Sequence, residues 1–353
     1  MINLKGVFLC AGKGTRMRPV SYSTPKHLIP IANKPILQYN IEKVINAGIT
    51  DVGLVVSPEI ESLYRESLGS SKWGASITYI HQENPQGLAH AVACARDFVG
   101  KDPFLVYLGD NLLHSELTEM VNNFKQEKPA GSILLAPVDD PERFGVAEIE
   151  AGNIVNLVEK PDQPPSNLAI VGAYLFNREI FSAIENIEPS DRGELEITDA
   201  IADLIDNGKK VTPSTLEGWW LDVGRPSDAL RANRVLLKEI QGSVEGEIQN
   251  TELTDRSVIR VAEDSQVKNS KLRGPVHVAS GARVENSTLG PNVSLGRKVV
   301  LRNAEVENSI IMEEAKIEKA HLLRSLVGEQ AEISLGGDKI EITLGNQAKI
   351  INL

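Results

Sequence analysis

Gly6-Val7-Phe8-Leu9-Cys10-Ala11-Gly12-Lys13-Gly14-Thr15-Arg16-Met17-Arg18-Pro19 is the stretch that decides how this chain folds. Its first six residues are small or apolar and predict a buried strand. The strand runs into a turn at Gly12 and Gly14. Without Cβ atoms there, the backbone can curl tightly and turn its N–H groups toward an anion. Arg16 and Arg18 follow, and Lys26 comes from the same loop, in Pro25-Lys26-His27-Leu28-Ile29-Pro30. A strand, a glycine turn and clustered cations suit a triphosphate. Two better-known glycine loops fail on spacing. A P-loop places Gly-Lys-Ser/Thr after its spacer, but Lys13 is followed by Gly14. A dinucleotide fingerprint needs a third glycine where Met17 stands.

Outward from this stretch, strand and helix patterns alternate. Residues 6–11, 51–56, 76–81, 104–108 and 131–138 read as short strands, and 35–47, 87–98 and 115–127 as helices. Such alternation predicts an α/β fold, a mostly parallel Rossmann-like sheet with helices on both faces and ligands at the carboxyl ends of the strands. A long helix is expected over 228–239 and a hinge at 242–246. The first domain is therefore placed at 1–240.

Beyond it the helical period vanishes. Asn269-Ser270-Lys271-Leu272-Arg273-Gly274, Asn286-Ser287-Thr288-Leu289-Gly290-Pro291 and Asn308-Ser309-Ile310-Ile311-Met312 repeat one form, with near-hexads such as Gly281-Ala282-Arg283-Val284-Glu285-Asn286 between them. Regular apolar positions with Asn or small residues at corners predict a stacked parallel β-helix over 241–353, each coil burying its face against its neighbours.

The length of 353 residues accommodates two domains, and the 41% hydrophobic and 24% charged content is that of a globular chain. A net charge of −11 argues against nucleic-acid or anionic-membrane binding. Two cysteines, Cys10 and Cys94, imply neither a disulfide framework nor a metal cluster, and none of the six histidines stands at metal-ligand spacing. With no transmembrane-length or signal-like apolar run, a cytoplasmic location is expected.

The full loop resembles the signature of the sugar nucleotidyltransferases, L-x-x-G-x-G-T-R-x-x-P…P-K-x-L-x-P. Every fixed position is met, from Leu9 to Pro19 and from Pro25 to Pro30, with Cys10 where Ala or Gly is commoner. The resemblance implies that Leu9, Ala11, Gly12, Gly14 and Thr15 line the nucleotide. It implies that Arg16 meets the leaving pyrophosphate and Lys26 the reacting phosphates. Tyr107-Leu108-Gly109-Asp110-Asn111 ends a predicted strand with a carboxylate, and Trp219-Trp220-Leu221-Asp222-Val223-Gly224 offers a second. The family uses such a pair for catalytic Mg²⁺, so Asp110 and Asp222 are the expected metal ligands. Mg²⁺ needs few carboxylates when phosphates and waters complete its shell.

Gln82 and Gly87, in Gln82-Glu83-Asn84-Pro85-Gln86-Gly87-Leu88-Ala89, are the base-reading candidates. An amide offers both donor and acceptor to a pyrimidine edge, and the string resembles the Q-x-x-x-x-G-L-A form of thymidylyl- and uridylyl-transferring members. Further segments resemble the sugar-phosphate half of the site. They are Arg143-Phe144-Gly145-Val146, Val158-Glu159-Lys160-Pro161, Val171-Gly172-Ala173-Tyr174 and Arg192-Gly193-Glu194-Leu195-Glu196-Ile197-Thr198-Asp199. The resemblance gives Lys160 and Arg192 to the phosphate and Glu159 to sugar hydroxyls. Asn111, Gly145, Ile170, Gly172 and Tyr174 line the sugar.

The implied activity is Mg²⁺-assisted in-line transfer of a nucleotidyl group from dTTP to glucose 1-phosphate. Transfer from UTP, or to another hexose or amino sugar, is the alternative. The C-terminal repeat resembles the left-handed β-helix of long-form members and implies a homo-oligomer, trimeric or larger. Related β-helices can acetylate sugar phosphates, which here would need His277 or His321 as base.

Overall fold

The computed structural model describes residues 3–69, 74–336 and 339–351. In chain order, β1 (Lys5–Leu9) leads to a hairpin of β2 (Pro30–Ile31) and β3 (Lys34–Pro35). Then come α1 (Ile36–Asn46), β4 (Asp51–Val56), α2 (Glu61–Leu68), β5 (Ser76–His81), α3 (Leu88–Cys94), α4 (Arg96–Val99) and β6 (Phe104–Leu108). The short β7 (Asn111–Leu113), α5 (Thr118–Glu127), β8 (Gly131–Pro137), β9 (Gly145–Glu150) and β10 (Asn153–Glu159) follow. After the long β11 (Leu168–Phe176) come α6 (Glu179–Asn186), α7 (Ile197–Asp206), β12 (Val211–Thr215), β13 (Trp220–Asp222) and α8 (Pro226–Leu237). Twenty short strands then form the C-terminal repeat. The chain makes two compact units, Met1–Gly12 with Leu37–Leu221, and Lys13–Ile36 with Asp222–Leu353.

The first unit is built on a sheet ordered β10-β9-β11-β6-β1-β4-β5, with β8 on β11 and β12 on β8. β1 pairs parallel with both β4 and β6, and β4 parallel with β5. Val7 and Phe8 are fully buried, as a strand covered on both faces must be, which is why it reads as an unbroken apolar run. In β4, a methyl at Gly53 would stand 2.8 Å from Ile80 and 2.9 Å from the Phe98 ring, so the glycine lets α4 lie close on the sheet. The other half of the sheet turns antiparallel at β11, which pairs that way with β6, β8 and β9. The sequence did not announce β9 and β10, because their residues alternate with exposed polar ones and resemble loop. The helix expected over 87–98 is interrupted at Ala95. Its N–H bonds to the Val92 carbonyl at 3.0 Å, tightening the turn before α4 restarts.

The second unit carries three parallel sheets of seven, seven and six strands, the arrangement of a left-handed β-helix. One register column runs through Val261, Val278, Leu295, Ile311, Val327 and Leu344. Its steps of 17 or 16 residues fall just short of three full hexads, which explains the imperfect repeat. The column belongs to an aliphatic core in which Val261, Val278, Leu295, Ile311 and Val327 are fully buried. Asn269, Asn286, Asn303 and Asn308 take φ of 47–50° at corners. Asparagine tolerates that left-handed conformation better than other side-chain-bearing residues. Among the described residues, no helix is long and apolar enough to cross a membrane.

Candidate active site

The chain runs from β1 to β4 and β5 on one side, then crosses back to place β6 on β1's other flank. That reversal opens a crevice at the carboxyl ends of β1 and β6, the usual ligand position in such sheets. The turn leaving β1 is tied down on several sides. Cys10 N–H donates to the Val55 carbonyl (2.8 Å), Ser57 Oγ to the Ala11 carbonyl (3.0 Å) and the buried Tyr64 hydroxyl to the Cys10 carbonyl (3.2 Å). Across the crevice, Gly109 N–H donates to the Leu9 carbonyl (3.2 Å), and Asn40 Nδ2 to the Gly109 carbonyl (3.1 Å). Leu9 therefore meets the Gly109-Asp110 turn within one unit. Burial first, then the nearby Cys10 and Asp110, push the Tyr64 phenol well above its ordinary range, so it acts as a neutral donor.

Asp110 is 9% exposed. Its Oδ1 accepts from Asn111 Nδ2 at 3.0 Å, while Asn111 Oδ1 accepts from Trp220 Nε1 at 2.7 Å. A methyl at Gly172 would meet Asn111 Oδ1 at 2.7 Å, so that glycine in β11 makes room for the amide. Asn40 lies outside every sequence motif, and Trp220 belongs to the Trp219-to-Gly224 stretch without a role of its own there. Their work is to hold Asn111 and the Asp110 turn, which only the fold shows.

In the second unit, Gly14 has φ 59°, and its carbonyl accepts from Ser21 Oγ at 2.7 Å. The Lys26 stem lies 3.5 Å from where a Gly14 Cβ would be. The Arg16 guanidinium lies 2.9 Å from where a Gly224 Cβ would be, two residues past Asp222. Gly14, Thr15, Arg16, Lys26 and Asp222 thus share one unit, with Arg16 resting on the strand exit that carries Asp222. The β2–β3 hairpin, which continues this loop, docks on the β-helix. Asn33 Nδ2 donates to the carbonyls of Leu295 (2.9 Å) and His277 (3.2 Å), and His277 Nδ1 meets the Ala32 carbonyl (3.1 Å). Asn233 Oδ1, in α8, accepts from Ala32 N–H (2.8 Å) and Ser294 Oγ (3.0 Å). Thr24 accepts from Asn346 Nδ2 at 3.0 Å. Burial lowers the His277 pKa to about 4, outweighing the Ala32 bond and helped by Arg260, so its Nδ1–H donates from a neutral ring.

Gln82 is buried, and its Nε2 lies 3.0 Å from His90 Nδ1. When the amide donates there, its oxygen and second N–H stay available to a base edge. Gly87 has φ 111° and opens α3. A methyl on it would strike the Leu195 carbonyl oxygen at 2.5 Å, and Ala89 N–H donates to that oxygen at 3.0 Å. Both facts require glycine.

Glu159, at the end of β10, gathers the sugar-phosphate candidates. Arg192 Nη2 and Lys160 Nζ each lie 3.2 Å from Glu159 Oε1, and Thr198 Oγ1 donates to Oε2 at 3.4 Å. Arg192 also grips Glu196 at 2.7 Å. Partial burial works against the guanidinium's charge, but Glu196 and Glu159 more than offset it and raise its pKa. A methyl at Gly145 would lie 2.8 Å from Thr198 and 3.1 Å from Glu159 and Ile170, so the glycine keeps this corner open. Tyr174 lies behind it in the core, stacked on Phe176 at 5.9 Å, its phenol pushed up by burial and by Glu159. Asp199 is a further half-buried carboxyl, raised by burial and then by Glu196 and Glu159. It ends the motif that begins at Arg192, which by itself gives it no role.

Among the described residues, no group of three His, Cys, Asp or Glu side chains is poised to hold a metal. Asp110 and Asp222 offer oxygen donors, as a hard divalent cation prefers, and substrate phosphates would complete its shell.

A family profile described as "Nucleotidyl transferase" matches residues 5–239. The chain is 41% identical over 340 residues to the low-salt glycan biosynthesis nucleotidyltransferase Agl11 of Haloferax volcanii, covering 95% of each chain. It is 40% identical over 334 residues to a glucose-1-phosphate thymidylyltransferase of Streptomyces antibioticus, covering 94% of each. It is 36% identical over 357 residues to the bifunctional protein GlmU of Methanococcus maripaludis, covering 99% of this chain and 84% of that one. Among solved structures, a Bacillus anthracis protein titled a glucose-1-phosphate thymidylyltransferase aligns with a TM-score of 0.63 and 37% identity, covering 68% of this chain and 97% of that one.

Proposed function

The chain belongs to the nucleotidyl transferase family, and from that premise we propose that it transfers a thymidylyl group from dTTP to glucose 1-phosphate. A phosphate oxygen of the sugar phosphate attacks the α-phosphorus. The bond to the β-phosphate oxygen breaks, and pyrophosphate leaves with that electron pair. Arg16 and Lys26 neutralise the charge that builds on the phosphates. Leu9, Ala11, Gly12, Gly14 and Thr15 cradle the nucleotide, and Gln82 with Gly87 reads the base. Arg192 and Lys160 take the sugar phosphate and Glu159 the sugar hydroxyls. Asn111, Gly145, Ile170 and Gly172 shape the sugar pocket, with Tyr174 as its support. Asp110 and Asp222 would hold Mg²⁺, which when bound would supply charge neutralisation at the α-phosphate and the leaving group.

The observation that carries this reading is the crevice at the strand reversal, where the β1 exit turn and the Asp110 turn are bonded together. Domains at 1–240 and 241–353 are supported by the family match ending at residue 239. A cytoplasmic homo-oligomer assembled through the β-helix completes the proposal, and sedimentation of a monomer at micromolar concentration would contradict it. His277 is committed to Ala32, which disfavours it as an acetyl-transfer base. Pyrophosphate release, measured with glucose 1-phosphate, Mg²⁺ and each of dTTP, UTP, CTP, GTP and ATP, should be fastest with dTTP. Preference for a purine nucleotide would remove Gln82 and Gly87 from the base site.

A further inference from the structure

A second cavity, of about 480 Å³, opens at the opposite end of the same sheet. It adjoins the start of β6, whereas Asp110 follows its end, and a five-residue strand separates them by about 17 Å. Lys101, Lys125, Lys128 and Arg178 line it together with one acid, Glu179, over the buried Phe124 and Pro129. The acids nearby are engaged elsewhere. Asp102 faces Lys5 at 3.9 Å, Glu127 pairs with Lys210 at 2.6 Å and Glu179 with Lys209 at 2.7 Å. Among the described residues, the four lining cations have no ion-pair partner.

Lys125 and Lys128 lie at the carboxyl end of α5, where a helix dipole welcomes cations. Arg178 sits at the N-cap of α6, the positive end of that helix, and Lys101 follows α4. Three elements thus bring like charge to one place, in a chain whose net charge is −11. That arrangement is repulsive until an anion enters. The volume is that of a small-molecule pocket, and the Phe124–Pro129 floor suits an apolar or ring-shaped body.

We propose that this cavity binds a phosphate ester of a small ring-bearing molecule, of nucleotide or sugar-phosphate size, at a site separate from the crevice. The phosphate sits among the four cations and the ring lies on the floor. Binding is independent of the catalytic reading.

The site can be read locally in the full-length protein by lysine acetylation with an N-hydroxysuccinimide ester and mass spectrometry. The probes are dTDP, glucose 6-phosphate, inorganic pyrophosphate and uncharged thymidine. At about ten times its dissociation constant, a bound ester should slow acetylation of Lys101, Lys125 and Lys128 roughly ten-fold and leave the exposed Lys319 unaffected. Which ester protects more strongly identifies the ring. Lys125→Glu/Arg178→Glu should abolish protection at Lys128 with turnover unchanged, and the milder Lys101→Gln/Arg178→Gln should weaken it. Equal rates with and without every probe would overturn the site. Protection by pyrophosphate as strong as by either ester would overturn the ring-bearing ligand.

Discussion

The two halves of the proposed site are held in place by different means. Glu159, Arg192, Glu196 and Lys160 form one ion-pair cluster within the first unit, between β10 and the segment leading into α7. The loop carrying Arg16 and Lys26 is instead anchored through its hairpin, by neutral hydrogen bonds from Ala32 and Asn33 to Asn233, His277 and Leu295. Those partners lie about two hundred or more positions away in sequence. Ala32 and Asn33 have φ of 49° and 66°, a tight-hairpin geometry that costs an alanine strain and is held by this docking. The cluster around Glu159 is thus built locally, while placement of the loop carrying Arg16 and Lys26 is delegated to the β-helix.

The comparison can be broken at either end. Removing a phosphate-neutralising cation should matter most, so Lys26→Ala or Arg16→Ala should lower kcat about 100-fold or more. Unchanged turnover in either would take that residue out of the mechanism. Next comes Arg192→Ala. Loss of a charge-assisted bond of about 1.5–3 kcal/mol should raise KM for glucose 1-phosphate roughly 10- to 150-fold. The KM for dTTP should stay put, and steady-state kinetics with each substrate varied in turn checks the split.

Asn233→Ala strips the buried Ala32 N–H of its acceptor, a cost of about 1–3 kcal/mol. It should lower the Tm and reduce kcat without raising the sugar KM. A rise in the sugar KM would show that the two halves are not separately held. The mildest effect is that of pH. His277 has its pKa lowered to about 4 in the folded chain, against 6.5 ordinarily, so the fold favours the neutral ring. Its stabilisation is complete above pH 6.5. It is lost as the pH falls from there toward 4, because the unfolded chain takes up a proton that the folded chain refuses. Between pH 7 and pH 5 this amounts to about 2 kcal/mol. Denaturant titrations at both pH values should show it in the wild type and not in His277→Asn.

Much of this was legible before folding. The strands at 51–56 and 104–108 coincide with β4 and β6, because strands covered on both faces are written as apolar runs, and 76–81 coincides with β5, an edge strand whose apolar residues alternate with polar ones. The β-helix was legible because its coils repeat. Hidden were the antiparallel β9 and β10, half exposed and mixed in pattern, the supporting residues Asn40 and Tyr64, and the contacts that His90, Asp199 and Trp220 make from within their motifs. Such side chains act on a partner distant in sequence, and no spacing rule encodes a partner.

By itself, the sequence determined the family, the order of the motifs, the glycine turn after β1 and the presence of both a sheet and a repeat. These depend on local conformation and periodic burial, which neighbouring residues specify. Only the tertiary structure decided that the sheet reverses between β1 and β6, that Gln82 is held by His90, and that the phosphate loop is pinned to the β-helix. Each of those depends on which distant segments pack together, and that follows from burial of the whole chain rather than from any one stretch of it.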